Sequence, residues 1–246
     1  MINRFIFSQK DLDSGSLTVL ASVAHRFSEI GVYYGKIRRG ENEVGRFKII
    51  VDESVSAPKS VKVDLKALDL PASQQSISEK CGCFNLNPNG YAVFVVSTGA
   101  GGYVLEIEKS GSECGRKEFD NRELLGEDLF IATLLRPGTY RVVNALTKAE
   151  AKLNVVYPEP GKTPRFSQPV NVECTEKAIT PSKIVVNPGQ GVVFCLKVPS
   201  RLKIELTQPE DRSKQGATAR QAKQAKTRKG GMAAKQVMRR LKLNPV

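Results

Sequence analysis

Cys81-Gly-Cys83 sets two thiols two residues apart with only glycine between them. That spacing lets both sulfurs reach one soft metal ion, or act as a redox pair. Cys114, in Ser112-Glu-Cys-Gly115, offers a third thiolate from another loop. A tetrahedral zinc site wants a fourth ligand, and Cys174 and Cys195 fall in runs that read as core strands. The chain has one histidine, His25, among Val23, Ala24 and Phe27. A His-rich metal centre is therefore excluded, and His25 is the sole candidate base for a Ser-His-Asp triad. No nucleophile motif lies beside it, and no orienting partner is found for it. Acidic residues occur singly or in turns, without the separated pair that hydrolytic acid–base work needs. Ser97-Thr-Gly-Ala-Gly-Gly-Tyr103 shares its glycines with phosphate loops, but strand patterns flank it and no helix follows, so it reads as a hairpin loop. The expectation is a protein that is not an enzyme and holds no cofactor.

The strongest chemical signal is charge. Residues 209–246 carry 11 Lys and Arg against Glu210 and Asp211, a net of +9. The whole chain is +13, so residues 1–208 hold about +4 by subtraction. The run Arg220-Gln-Ala-Lys-Gln-Ala-Lys-Thr-Arg-Lys229 repeats a cation every three residues, and self-repulsion holds such a segment largely disordered. After Gly230-Gly231, the stretch Met232 to Leu243 places Ala234, Val237, Met238 and Leu241 at helical spacing, which predicts a short basic amphipathic helix stopped by Pro245. Without an aromatic residue the segment cannot stack bases, so it grips phosphates by charge. Arg220, Lys223, Lys226, Arg228, Lys229, Arg239, Arg240 and Lys242 are the candidate polyanion contacts, with nucleic acid favoured over an acidic protein. The small apolar face lacks Trp and Phe, which argues against membrane attachment.

The remaining residues must build the scaffold. Val32–Arg38 and Val44–Val51 flank the polar turn Arg39-Gly-Glu-Asn-Glu43 and predict a hairpin. Leu17–Ile30 suits helix or strand, with strand favoured by the β-rich context, and Lys59–Leu65 alternates as a strand. Further strands are expected over 91–97, 103–108, 130–135, 139–144, 151–157, 170–174, 183–186, 192–197 and 202–206. The layout implied is an N-terminal β unit over 1–70, a linker over 71–83, a β-sandwich assembly over 84–208 and the basic tail over 209–246. Asn87-Pro88, Val93-Phe94 and Ile107-Glu108 match Asn187-Pro188, Val193-Phe194 and Ile204-Glu205, which raises an internal repeat of 84–157 and 169–208.

Ala178-Ile-Thr-Pro-Ser-Lys-Ile-Val-Val-Asn-Pro-Gly-Gln-Gly-Val-Val-Phe194 resembles the opening strands of cupredoxins, and Leu135-Arg-Pro-Gly-Thr-Tyr-Arg-Val-Val143 resembles the strand that leads to their copper loop. Cupredoxins hold copper with two histidines and a cysteine, whereas the loop after Tyr140 has neither. The resemblance implies a scaffold without blue copper. The fold class expected is all-β, with immunoglobulin/cupredoxin-like β-sandwich units and a basic, partly helical C-terminal tail.

Five cysteines, an odd count, on a chain whose first ten residues do not form a signal peptide imply reduced thiols and a cytoplasmic location. The function expected is a binding or assembly protein of a large complex, its body docked and its tail held on a polyanion. Two alternatives are a structural subunit of a shell, filament or enzyme complex whose tail laces a neighbour, and a thiol metal or redox protein using Cys81 and Cys83.

Overall fold

The computed structural model describes residues 9–53, 58–69, 82–111, 117–157 and 168–210. These residues are overwhelmingly β, as the alternating patterns predict. In chain order the elements are β1 (Asp11–Asp13), β2 (Ala21–Phe27), β3 (Gly31–Arg39), β4 (Asn42–Val51), β5 (Ser60–Asp64), a single helical turn α1 (Leu65–Leu68), β6 (Gly82–Leu86), β7 (Gly90–Val95), β8 (Tyr103–Lys109), β9 (Lys117–Asp120), β10 (Leu129–Thr133), β11 (Gly138–Asn144), β12 (Glu150–Val155), β13 (Val170–Cys174), β14 (Ile179–Thr180), β15 (Lys183–Val186), β16 (Gly191–Leu196) and β17 (Leu202–Pro209). The described residues up to Pro209 group as one compact unit.

Among the described residues the strands form three sheets. A seven-stranded sheet runs β14-β13-β16-β10-β2-β7-β5, and two five-stranded sheets run β6-β4-β3-β8-β9 and β1-β17-β11-β12-β15. The expected hairpin is β3–β4, closed at Gly40, whose φ of 60° is easy for glycine alone. β2 is a strand, hydrogen-bonded between β7 and β10. Cross-sheet packing follows the inward positions of each strand. Phe47 of β4 lies 5.8 Å from Phe94 of β7, and Phe94 stacks on Phe119 of β9 at 5.7 Å. Tyr140, Val142, Leu153 and Ile204 of the other five-stranded sheet are buried in the same apolar core as Phe130 and Phe194. Each such side chain contributes about 1.5–3 kcal/mol by burial.

The glycine loop over 97–102 is not a hairpin. It carries the chain from β7 in the seven-stranded sheet to β8 in a five-stranded one. The Gly102 N–H donates to the Leu17 carbonyl at 2.8 Å. Gly101, at φ 77°, passes so close to Thr18 that a Cβ there would sit 2.7 Å from its Cα. Close backbone approach accounts for Gly101, and positive φ for Gly99 and Gly102 at 90° and 87°.

The pairings occur twice in one chain. Val23 of β2 faces Phe130 of β10 across the middle of the large sheet, and each has a phenylalanine as its other neighbour, Phe94 and Phe194. The Tyr33 hydroxyl donates to the Glu29 carbonyl at 2.7 Å, and the Tyr140 hydroxyl to the Arg136 carbonyl at 2.7 Å, each four residues upstream. The Leu17 N–H donates to Tyr103 O and the Leu124 N–H to Ser200 O, both at 2.9 Å. β5 lies parallel to β7 as β13 does to β16, and β6 parallel to β4 as β15 does to β12. The frame of this recurrence is 11–109 and 117–209. Asn87-Pro88 and Asn187-Pro188 occupy matching turns within it, with Gly90 N–H donating to Asn87 O and Gln190 N–H to Asn187 O. The first strand of each half is exchanged: β1 pairs with β17, the last strand of the second half, and β9 pairs with β8, the last of the first.

Candidate functional site

The eight cations proposed for polyanion contact, Arg220, Lys223, Lys226, Arg228, Lys229, Arg239, Arg240 and Lys242, lie outside the described residues, as do Cys81 and Cys114. Cys83 is described: it is exposed on β6, an edge strand, opposite Lys48 of β4. Among the described residues no group of three His, Cys, Asp or Glu side chains could hold a metal ion. Cys174 is buried in β13, and burial, with Cys195 and Glu173 nearby, pushes its thiol up to about 12. A thiol so shifted is inert at neutral pH. Cys195 is half-buried in β16.

His25 does have an orienting partner. The register that pairs Ala24 with Leu129 continues to His25 and Asp128, and the ring Nδ1 lies 2.6 Å from Asp128 Oδ1. The second Asp128 oxygen accepts the Leu125 N–H at 2.7 Å, so the carboxylate is fixed from both sides. Phe27 meets the imidazole edge-on at 4.6 Å and Phe119 tilts over it at 4.8 Å. His25 Nε2 is buried without a hydrogen-bond partner, 4.0 Å from Glu118 Oε1. A cavity of about 260 Å³ opens next to Asp128, lined by Lys117, Glu118, Phe119, Asp120, Glu123 and Leu125. None of these lining residues carries a hydroxyl or thiol of the kind an imidazole base activates, and His25 is not among them. Local sequence held no sign of this pair, because Asp128 is 103 residues away and is delivered by strand register.

Beside that cavity lies an ion network that sequence spacing did not reveal. The Glu106 carboxylate, nearly buried, accepts from Lys117 Nζ at 3.1 Å and from the Arg122 guanidinium. Asp120 takes Lys117 Nζ at 3.0 Å and Arg122 Nη2 at 2.7 Å. Burial disfavours the Asp120 carboxylate, yet the Arg122 side-chain and backbone hydrogen bonds outweigh it and hold its pKa down to about 2. Arg201 pairs with Asp13 at 2.9 Å, filling the space above Gly15. Tyr103 is raised to about 12 by burial and by its hydrogen bond to Asp69. These groups brace β8, β9 and β1; they are structural ties.

No helix among the described residues is long and apolar enough to cross a membrane. Comparison with protein-family models, with curated proteins and with solved structures found no match to this chain.

Proposed function

We propose that this chain is a non-enzymatic binding and assembly protein, its β body docked in a larger complex and its basic C-terminal segment held on a polyanion, most readily nucleic acid. The observation that carries this reading is the placement of charge: +9 of the +13 falls within 209–246. The body compensates much of its own charge, as in Arg26–Glu127, Lys36–Glu108, Arg39–Asp69 and Arg141–Glu150. An uncompensated run of cations releases counterions when it meets phosphates, which drives sequence-independent binding. Free Cys83, Cys174 and Cys195 accord with a cytoplasmic setting.

For the body we propose an immunoglobulin- or cupredoxin-like sandwich in each half. Aromatic contacts between sheets and the paired tyrosine hydroxyl bonds support it, since such sandwiches use a tyrosine that bonds back to the backbone a few residues upstream. Copper is not part of this proposal, because His25 is the chain's one histidine.

Purification from the native cell at low salt, with the eluate divided by nuclease treatment, tests the reading. A defined RNA or DNA that leaves on digestion and frees the protein is the expected result. A protein that never carries nucleic acid under these conditions contradicts it.

A further inference from the structure

The outer face of the β1-β17-β11-β12-β15 sheet carries one row of five exposed charged side chains. Strand register sets them side by side: Lys183 opposite Lys152, Lys152 opposite Arg141, Arg141 opposite Glu205, and Glu205 opposite Asp11. All five positions are exposed. The row reads three cations and then two anions from one edge of the sheet to the other. Like charges directly opposed on neighbouring strands destabilise a sheet. Arg141 finds relief in Glu150, with Nε 3.1 Å from Oε2, but Lys152, Lys183 and Asp11 have no ion-pair partner among the described residues. Four strand intervals separate Lys183 from Asp11, about 19 Å. That exceeds the screening length of about 8 Å at physiological ionic strength, so the two ends cannot compensate each other within one chain.

Among the described residues both ends are sheet edges, β15 and β1. We infer that a second copy of this chain completes the row, its β1 edge adding to the β15 edge of the first. β15 runs parallel to β12, and β12, β11, β17 and β1 alternate, so β1 of a neighbour in the same orientation meets β15 antiparallel. Side-chain alternation agrees. Leu12 and Ile184 both face inward, while Asp11, Asp13 and Lys183 face outward. The junction therefore keeps Leu12 and Ile184 on the inner face and brings Asp11 to the face that carries Lys183. Val185, 59% exposed and the most exposed large apolar side chain described, stands on the outer face with Lys183, where the added strand sets a neighbouring side chain beside it. A lysine on an edge strand by itself guards against pairing; an acidic edge of the same sheet converts it into a complementary contact.

The matching row in the other half has no such polarity. There Cys83, Lys48, Tyr34 and Glu108 occupy successive strands. The two halves share one frame of pairings, so the difference is specific to this sheet. The contact is head-to-tail and, with sheet twist at each junction, propagates as an open filament. β1 and β15 span three and four residues, which makes each junction weak, reversible and salt-sensitive.

This inference deepens the assembly part of the proposed function and does not depend on the basic tail. Sedimentation velocity of the full chain, nuclease-treated, across concentration at low and high salt tests it. The wild type is expected to show species above the monomer that grow with concentration and are lost in high salt. Asp11→Lys and Lys183→Glu each abolish them; a one-to-one mixture of the two variants regains the series by alternation, because each chain is complementary to the other at both edges; the double variant regains it alone. A wild type that is monomeric throughout, or larger species that both single variants retain, overturns it. Because the tail is intact in every sample, a tail failure in nucleic-acid binding leaves this result unchanged.

Discussion

Asp120 ties local electrostatics to stability. Its folded pKa of about 2 lies below the ordinary 3.8. A lowered carboxyl pKa adds stability that is complete above the ordinary value and is lost as pH falls from about 4 to 2. Asp120→Asn should cost about 2 kcal/mol at neutral pH and flatten the stability profile across that window, as measured by denaturant unfolding at successive pH values. An unchanged profile would show that Arg122 and Lys117 do not bind the Asp120 carboxylate as described. The two tyrosine bonds give a paired test. Tyr33→Phe and Tyr140→Phe remove matching hydroxyls from matching positions, and each should cost about 1 kcal/mol in the same unfolding assay. At this scale the sequence was least legible. His25 could be singled out because histidine occurs once, but its partner Asp128 could not, since only strand pairing brings them together.

Elements were far more legible. Strands with one wet and one dry face alternate in sequence, and the runs at 32–38, 44–51, 139–144 and 183–186 announce themselves in that way. The strands that escaped notice are short or sit in polar stretches: β1 with Asp11 and Asp13, β6 beginning at Gly82, and β9 with Lys117, Glu118 and Asp120. Their apolar content is too small to set a period, and tertiary pairing decides them. The loop over 97–102 was legible as a turn but not in its destination, because glycine content reports permissive backbone and not which sheet comes next. Two substitutions separate these meanings. Gly99→Ala meets nothing within 4 Å and carries only the strain of φ 90°, about 1 kcal/mol. Gly101→Ala adds a collision with Leu17 and Thr18 backbone and should cost at least twice as much by thermal unfolding.

For the whole molecule, the exchanged strands make each half of the pairing frame dependent on the other. β1 closes the sheet of the second half and β9 that of the first, while β2 and β10 join both in one large sheet. A protease site placed at 112–116 and cut in the folded protein should leave both pieces co-eluting as one species without denaturant; separation on simple gel filtration would show that the crossing strands do not hold the halves. The Asn-Pro match showed in sequence because turns and inward phenylalanines recur there at matching positions. The exchange of first strands did not, since nothing in a strand's own residues names its neighbour.

The function we propose rests, at this scale, on the charge of residues 209–246. The most direct measurement is the affinity for a nucleic-acid duplex of arbitrary sequence across a salt series, for the full chain and for a chain ending at Glu210. The expected result is a steep log–log slope for the full chain, each neutralised phosphate adding about 0.9, and loss of measurable binding in the shortened chain with its unfolding transition unchanged. Equal affinity and equal slope for the two chains would contradict it.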